Sequence, residues 1–323
     1  MHAPANGPVF AICYPILAAI GAPANVVAII ILSRGRCGLS CCITYYLVAI
    51  AVTDFLVIIN GCILNRIGRI YFRDSLLSTT LACKLSTMLI FTIRDGSVWL
   101  TVAFTFDRFV AICFQSLKIR YCTHKTASMV IGIVCILSCI KNTPFYFIFR
   151  PLYTLKGVPW FCIIKSSYYI SPIWQTYDWL DHILVPFLPF LLILLLNAIT
   201  VTNILAASRA RKRIRSAENR SDQEISNRKK SIVLLFAISL SFLFLWATYV
   251  GRFLYVQISG EGYFGGLDFN DPQYILQETT IMLQMINSCN NVFIYTIAQN
   301  KFREELKNTL MSPFTIFTSC IKQ

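Results

Sequence analysis

Hydrophobic residues come in long runs along this chain, broken by shorter polar stretches. Seven runs can be laid out, over residues 10–32, 41–64, 81–113, 127–149, 179–207, 229–257 and 275–298. About 20 apolar residues make a helix long enough to cross the hydrocarbon core of a bilayer. Lipid offers the backbone no hydrogen-bond partners, so such runs must be helices rather than open strands. A membrane barrel would instead show many short alternating segments. The first, fourth and fifth runs are strongly apolar. The third holds Arg94 and Asp95, and the seventh holds Gln277, Glu278, Gln284, Asn287, Asn290 and Asn291. Such residues do not face lipid, so both helices belong inside a bundle. The predicted fold class is an all-α membrane protein, a seven-transmembrane helix bundle.

Composition agrees. Of 323 residues, 56% are hydrophobic and only 14% charged, too few to clothe a water-facing surface on every side. A soluble domain, a disordered chain and a fibrous repeat fit poorly. The net charge of +14 would suggest nucleic acid in a soluble protein; here its placement matters more, and no nucleic-acid partner is expected. The 13 Cys form no CxxC…CxxC zinc pattern, and most sit in apolar runs as small hydrophobes. Met1 to Val9 leads almost directly into the first run, without the charged stretch and short apolar core of a signal peptide.

Basic residues predict the orientation. The first connection carries Arg34 and Arg36, and the third carries Lys118, Arg120 and Lys125. The fifth is richest, with Arg209, Arg211, Lys212, Arg213, Arg215, Arg220, Arg228, Lys229 and Lys230. The tail adds Lys301, Arg303 and Lys307, and the sixth connection has Glu261, Asp268 and Asp271 with no base. Positive charge stays in the cytoplasm, so the N-terminus is expected outside and the tail inside. The 209–230 charge run then reads as a solvated loop that fixes topology, with contact to a cytosolic partner as a second role. Residues 301–310 pattern as a short amphipathic helix, Phe302, Leu306 and Leu310 on one stripe, lying on the inner membrane surface.

Some polar residues inside the runs need a reason. Asp54 interrupts LVAIAVTDFLVII, where a charge must face an internal cavity or be paired. Asn25, Ser97, Asn287, Ser288 and Asn291 can supply oxygens at similar depth. Two readings stand side by side, a polar network holding helices together and a site for a small cation, sodium. Asp107 and Arg108 close the third run directly before a basic connection.

The run SVWLTVAFTFDRFVAIC resembles the end of the third helix in rhodopsin-like G-protein-coupled receptors, whose motif is Asp-Arg-Tyr. The likeness extends over nearly the whole chain. GAPANVVAIIIL resembles the first-helix motif through Asn25, and LVAIAVTDFL the second through Asp54. Pro189 matches the fifth-helix proline, and Phe242 and Trp246 the aromatic pair of the sixth. NVFIY at 291–295 resembles the seventh-helix Asn-Pro-x-x-Tyr, and Phe302 falls at the eighth-helix position. The resemblance implies a disulfide between Cys83 and Cys162. It implies coupling and switching roles for Asp107, Arg108, Phe109, Asn197, Asn291 and Tyr295, and transmission through Val98, Pro189, Phe242 and Trp246. Residues 1–9 become a short extracellular N-terminus, 10–298 the receptor domain, and 299–323 a cytoplasmic eighth helix and tail. Implied partners are an extracellular small-molecule or peptide ligand, a heterotrimeric G protein, arrestin and the lipid bilayer. No enzymatic step or cofactor is implied beyond an allosteric sodium ion.

Several positions depart from the family pattern. Phe109 replaces the motif tyrosine, Val292 the seventh-helix proline and Asn197 a fifth-helix tyrosine. Thr248 stands where the sixth helix usually has proline, the fourth run has no tryptophan, and Arg228 stands where some members carry an acid. Altered switching, or a receptor that binds without signalling, would follow from such changes. A transporter is the third class, but no internal repeat supports it.

The ligand pocket is expected between the outer halves of the helices. Ile90 takes the place of the aspartate of amine receptors, which disfavours a monoamine. Met285 takes the place of the retinal lysine, which argues against a photopigment. Arg94, Asp95, His182, Tyr249, Arg252 and Glu278, with Trp246 below, would suit a zwitterion, a peptide terminus or a small acid. The competing reading is an internal Arg94–Asp95–Glu278 network with no ligand contact. At finer level the chain resembles the orphan group of probable G-protein-coupled receptor 139-like receptors, through SVWLTVAFTFDRF, NTPFYF and LLNAITVTNIL. That likeness implies an aromatic amino acid or small peptide as ligand, and Gq-type output.

Overall fold

The computed structural model of the protein describes residues 8–72, 75–214, 222–259 and 271–321. Seven long helices form one bundle. The first is Pro8–Ser33. The second is Cys41–Leu56, running on as a π-helix through Val57–Ile67 and ending at Gly68–Tyr71. The third is Thr80–Cys113 and the fourth His124–Asn142. The fifth is built from Pro172–His182, Ile183–Phe187 and Leu188–Ile214. The sixth is Asp222–Ser259 and the seventh Pro272–Ala298, with an eighth helix, Asn300–Ile321, after it. Side-chain caps mark three starts: Thr79 accepts from Ala82 N, Thr123 from Thr126 N, and Asp271 from Gln273 N.

Among the described residues, six helices are long and apolar enough to cross a membrane. The seventh falls short because its polar residues turn into the bundle, where Glu278, Asn287, Ser288 and Asn291 are buried. The third helix is the hub, packed against the second, fourth, fifth and sixth. One core cluster joins Leu47, Ile50, Leu100, Phe104, Ile238, Tyr295 and Phe302 near the end that bears Asp107. Another joins Val98, Val102, Ile193, Phe242 and Trp246 halfway along. The fourth helix shows Ile133, Ile136, Leu137 and Ile140 on its outside, an arrangement that suits lipid rather than water.

Expected boundaries shift in places. The second helix continues seven residues past 64, and the fifth starts at Pro172 rather than near 179. The helix after Asn300 runs to Ile321, longer than the stretch 301–310. Residue 219 and most of the acidic sixth connection lie outside the described residues. A small element of a kind not expected appears between the fourth and fifth helices. Phe149–Arg150 pairs antiparallel with Ile163–Ile164, and Tyr153–Leu155 with Val158–Trp160. Its turn residues, Lys156 and Gly157, have φ of 50° and 79°, the left-handed pair that a two-residue hairpin requires.

Candidate functional site

That hairpin is fastened to the start of the third helix. Cys83 and Cys162 form a disulfide, Phe161 N donates to Ser78 O at 2.7 Å, and Thr80 Oγ1 donates to Phe161 O at 2.6 Å. The attachment sets Phe149, Leu152, Ile163 and Ile164 against a cavity of about 760 Å³. The volume is in the range of small-ligand sites.

Ile90, Arg94, His182, Trp246, Tyr249, Arg252, Glu278 and Met285 all line this cavity. Asp95 does not. Its carboxylate turns between the third and fourth helices and accepts from Asn142 Nδ2 at 2.7 Å. Adjacent residues on a helix point about 100° apart, yet Arg94 folds back onto Asp95 Oδ1, with Nε at 3.2 Å and Nη2 at 3.1 Å. Arg94 Nη2 also lies 3.5 Å from Asp181 Oδ2. Lys141 bridges the same two aspartates. Four charges from the third, fourth and fifth helices therefore neutralise one another, with Arg94 and Asp181 still on the cavity wall. Glu278 is no part of that network. It pairs with Arg66, Nη1 to Oε1 at 3.0 Å, and accepts from the Tyr14 hydroxyl at 2.8 Å. The cavity wall thus carries three arginines, Arg66, Arg94 and Arg252, and three carboxylates, Asp178, Asp181 and Glu278. His182 stacks on Phe253 with ring centroids 5.3 Å apart. Tyr177 and Trp179 pack on Phe145 and Phe253 instead of lining the space.

Below the cavity lies Asp54, fully buried. Ser97 Oγ donates to its Oδ1 at 2.9 Å and Asn291 Nδ2 to its Oδ2 at 2.7 Å; Ser288 bonds it too. Asn25 sits apart, donating to the Gly21 and Ser288 carbonyls, and Asn287 faces the cavity. Among the described residues no group of three His, Cys, Asp or Glu could hold a metal ion.

The family model described as "7 transmembrane receptor (rhodopsin family)" matches residues 24–295. The chain belongs to that receptor family. It is therefore a multi-pass plasma-membrane protein of the receptor type rather than an enzyme. It is similar to the Drosophila melanogaster FMRFamide receptor, 26% identical over 302 residues, which are 89% of this chain and 51% of that one. The chain spans about half the length of that relative. It is also similar to the Mus musculus melatonin receptor type 1B, 24% identical over 268 residues, which are 83% of this chain and 68% of that one.

In the receptor, Trp246 stacks on Phe242 at 5.3 Å between ring centroids, and Val98 packs with both in one buried cluster. Pro189 is buried on the fifth helix. Asn197 Nδ2 donates to Ser239 Oγ at 2.8 Å, a tie between the fifth and sixth helices. At the far end Arg108 is only 4% exposed and its Nε donates to Asp107 Oδ2 at 2.9 Å. Phe109 lies against Phe106 and Phe114. The Trp246 Nε1 and Tyr295 hydroxyl are buried without a hydrogen-bond partner among the described residues.

Arg66, Tyr14, Lys141 and Asp181 were not singled out by sequence. Arg66 lies just past the apolar run that ended at 64, and Asp181 directly precedes His182. A charge at the edge of a run is the signal that would have found both.

Proposed function

We propose that the receptor takes an extracellular ligand into the cavity beneath the hairpin and activates a heterotrimeric G protein at the opposite end. The cavity carries this reading: a space within the bundle with aromatic walls and balanced charges, joined through Trp246 and Phe242 to the half that holds Arg108. In this reading the N-terminus is extracellular and the tail cytoplasmic, as the basic connections favour. The ligand is an aromatic amino acid or a short peptide, and output runs through a Gq-type protein. Support for both comes from the likeness of SVWLTVAFTFDRF, NTPFYF and LLNAITVTNIL to the 139-like orphan group. The relatives' names point to FMRFamide in one case and to melatonin in the other, so they do not choose between ligand classes. Arrestin would meet the same cytoplasmic face.

Asp54 suits a sodium ion. Its carboxylate has no basic partner among the described residues, and Ser97, Ser288 and Asn291 surround it with oxygens that can turn toward a cation. The ion would favour the inactive bundle. A ligand screen in cells with separate readouts for each G-protein class tests the function. It should include aromatic amino acids, short peptides and amines. Binding without any G-protein response would leave a nonsignalling receptor.

A further inference from the structure

Arg66 with Glu278, and Arg94 with its aspartates, form closed charge sets on the cavity wall, and this restricts what a charged ligand can do there. Arg66, on the second helix, and Glu278, on the seventh, lie 3.0 Å apart. Tyr14, on the first, donates to the other Glu278 oxygen at 2.8 Å, and the Arg66 guanidinium lies 5.7 Å from its ring centroid. Glu278 is nearly sealed and Arg66 one-fifth exposed, and both line the cavity. The Arg94 set is more tightly held: Asp95, Asp181 and Lys141 all share it. Among the described residues Arg66 and Glu278 have only each other as charged partner, so theirs is the pair that can open.

We infer that Arg66 and Glu278 form the recognition pair for a compact zwitterion, the head group of a free α-amino acid. This rests on the receptor reading above. A simple acid that takes Arg66 strands the Glu278 carboxylate against a phenol. A simple amine that takes Glu278 strands Arg66. Leaving a buried charge uncompensated outweighs what either contact returns. A molecule that brings an ammonium and a carboxylate side by side replaces both partners at once. Its two charges must be adjacent, because Arg66 and Glu278 touch. The separated termini of a peptide do not meet that condition. The rest of the wall, including Ile90, Phe91, Trp246 and Tyr249, suits an apolar or aromatic side chain. Opening the pair also releases a tie among the first, second and seventh helices, so occupancy and bundle state become linked.

The test uses the full chain in membranes and labelled phenylalanine as probe, competed with phenylalaninamide and N-acetylphenylalanine. Each analogue has lost one charge. On the wild type, both should compete on the order of 10- to 100-fold less well than phenylalanine. Arg66→Gln and Glu278→Gln should each weaken phenylalanine binding to a similar degree. Surface expression and an intact Cys83–Cys162 disulfide establish that the variants fold, and the analogue series needs no variant. Equal competition by either analogue, unchanged binding in folded variants, or no phenylalanine binding by the wild type would overturn the recognition pair. Nucleotide exchange on the same membranes is read separately. A receptor that signals to other ligands keeps the receptor reading while losing this one.

Discussion

Cys42 and Asp107 are joined across the second and third helices by a hydrogen bond from thiol to carboxylate, Sγ to Oδ1 at 3.0 Å. The other oxygen of the same carboxylate holds Arg108. Asp107 is fully buried, so both of its oxygens depend on these neighbours. Cys42 therefore helps to fix the acceptor that keeps Arg108 turned inward. A thiol is a weak donor, so the bond contributes about 1 kcal/mol. Cys42→Ala should raise ligand-independent nucleotide exchange about fivefold, and Cys42→Ser, which restores a hydroxyl donor, should not. Equal basal exchange in the two variants would remove Cys42 from the switch. Cys122, in the connection beyond the third helix, is pushed up to about 12 by burial and then by Asp107. It should stay a neutral thiol and resist cysteine-directed reagents at neutral pH.

Arg108→Ala separates the two ends of the receptor. Arg108 does not line the cavity, so ligand affinity should be kept while nucleotide exchange is lost. Matched binding and exchange assays on one membrane preparation check this, and a parallel loss of both would point to misfolding or a structural role.

Asp54→Asn should keep the fold, because an amide can still meet Ser97 and Asn291. It should abolish any sodium effect on agonist affinity. Coupling is reciprocal, so an agonist that disfavours sodium is itself weakened by sodium in the wild type. Titrations at matched ionic strength decide it: the same sodium dependence in both proteins leaves Asp54 a structural residue only.

The four-charge network predicts a thermal-stability pattern. Lys141→Met leaves Asp95 and Asp181 sharing one arginine and should cost about 3–5 kcal/mol. Adding Asp181→Asn removes the surplus negative charge, so the double variant should be more stable than Lys141→Met alone. Melting of the purified receptor reads this directly. A double variant less stable than the single one would mean that the two residues act independently.

Orientation has a simple check. An epitope inserted near residue 219 should be reached by antibody only after cells are permeabilised, whereas one at the N-terminus should be reached on intact cells. The opposite pattern would invert the receptor in the membrane.

The bundle was largely legible in the residues because lipid imposes a minimum length on every crossing. Hydropathy alone undervalues the seventh helix, whose Glu278 and Asn287 face inward; the NVFIY motif marks it instead. The same blindness moved two boundaries. Asn65 and Arg66 end the second apolar run without ending the helix, because both turn into the cavity. Gln175 and Asp178 make the start of the fifth helix too polar to read as membrane. Pairings were the least legible part. Arg66 finds Glu278 across 212 positions of chain, and no spacing rule reaches that far. Arg94 and Asp95 stood next to each other in plain view, but the helical angle between them hid the folded-back contact, and Lys141 supplies the reason it persists.

The even match of arginines and carboxylates on the cavity wall also bears on how fast a ligand arrives. A mouth rich in one sign draws oppositely charged molecules from a distance and loses that advantage as salt is added. Here Arg66, Arg94 and Arg252 are offset by Asp178, Asp181 and Glu278, so an approaching molecule meets alternating fields that turn it rather than pull it. Association should therefore be slower than a steered encounter and nearly indifferent to ionic strength, with selectivity between ligands residing in how long each one stays.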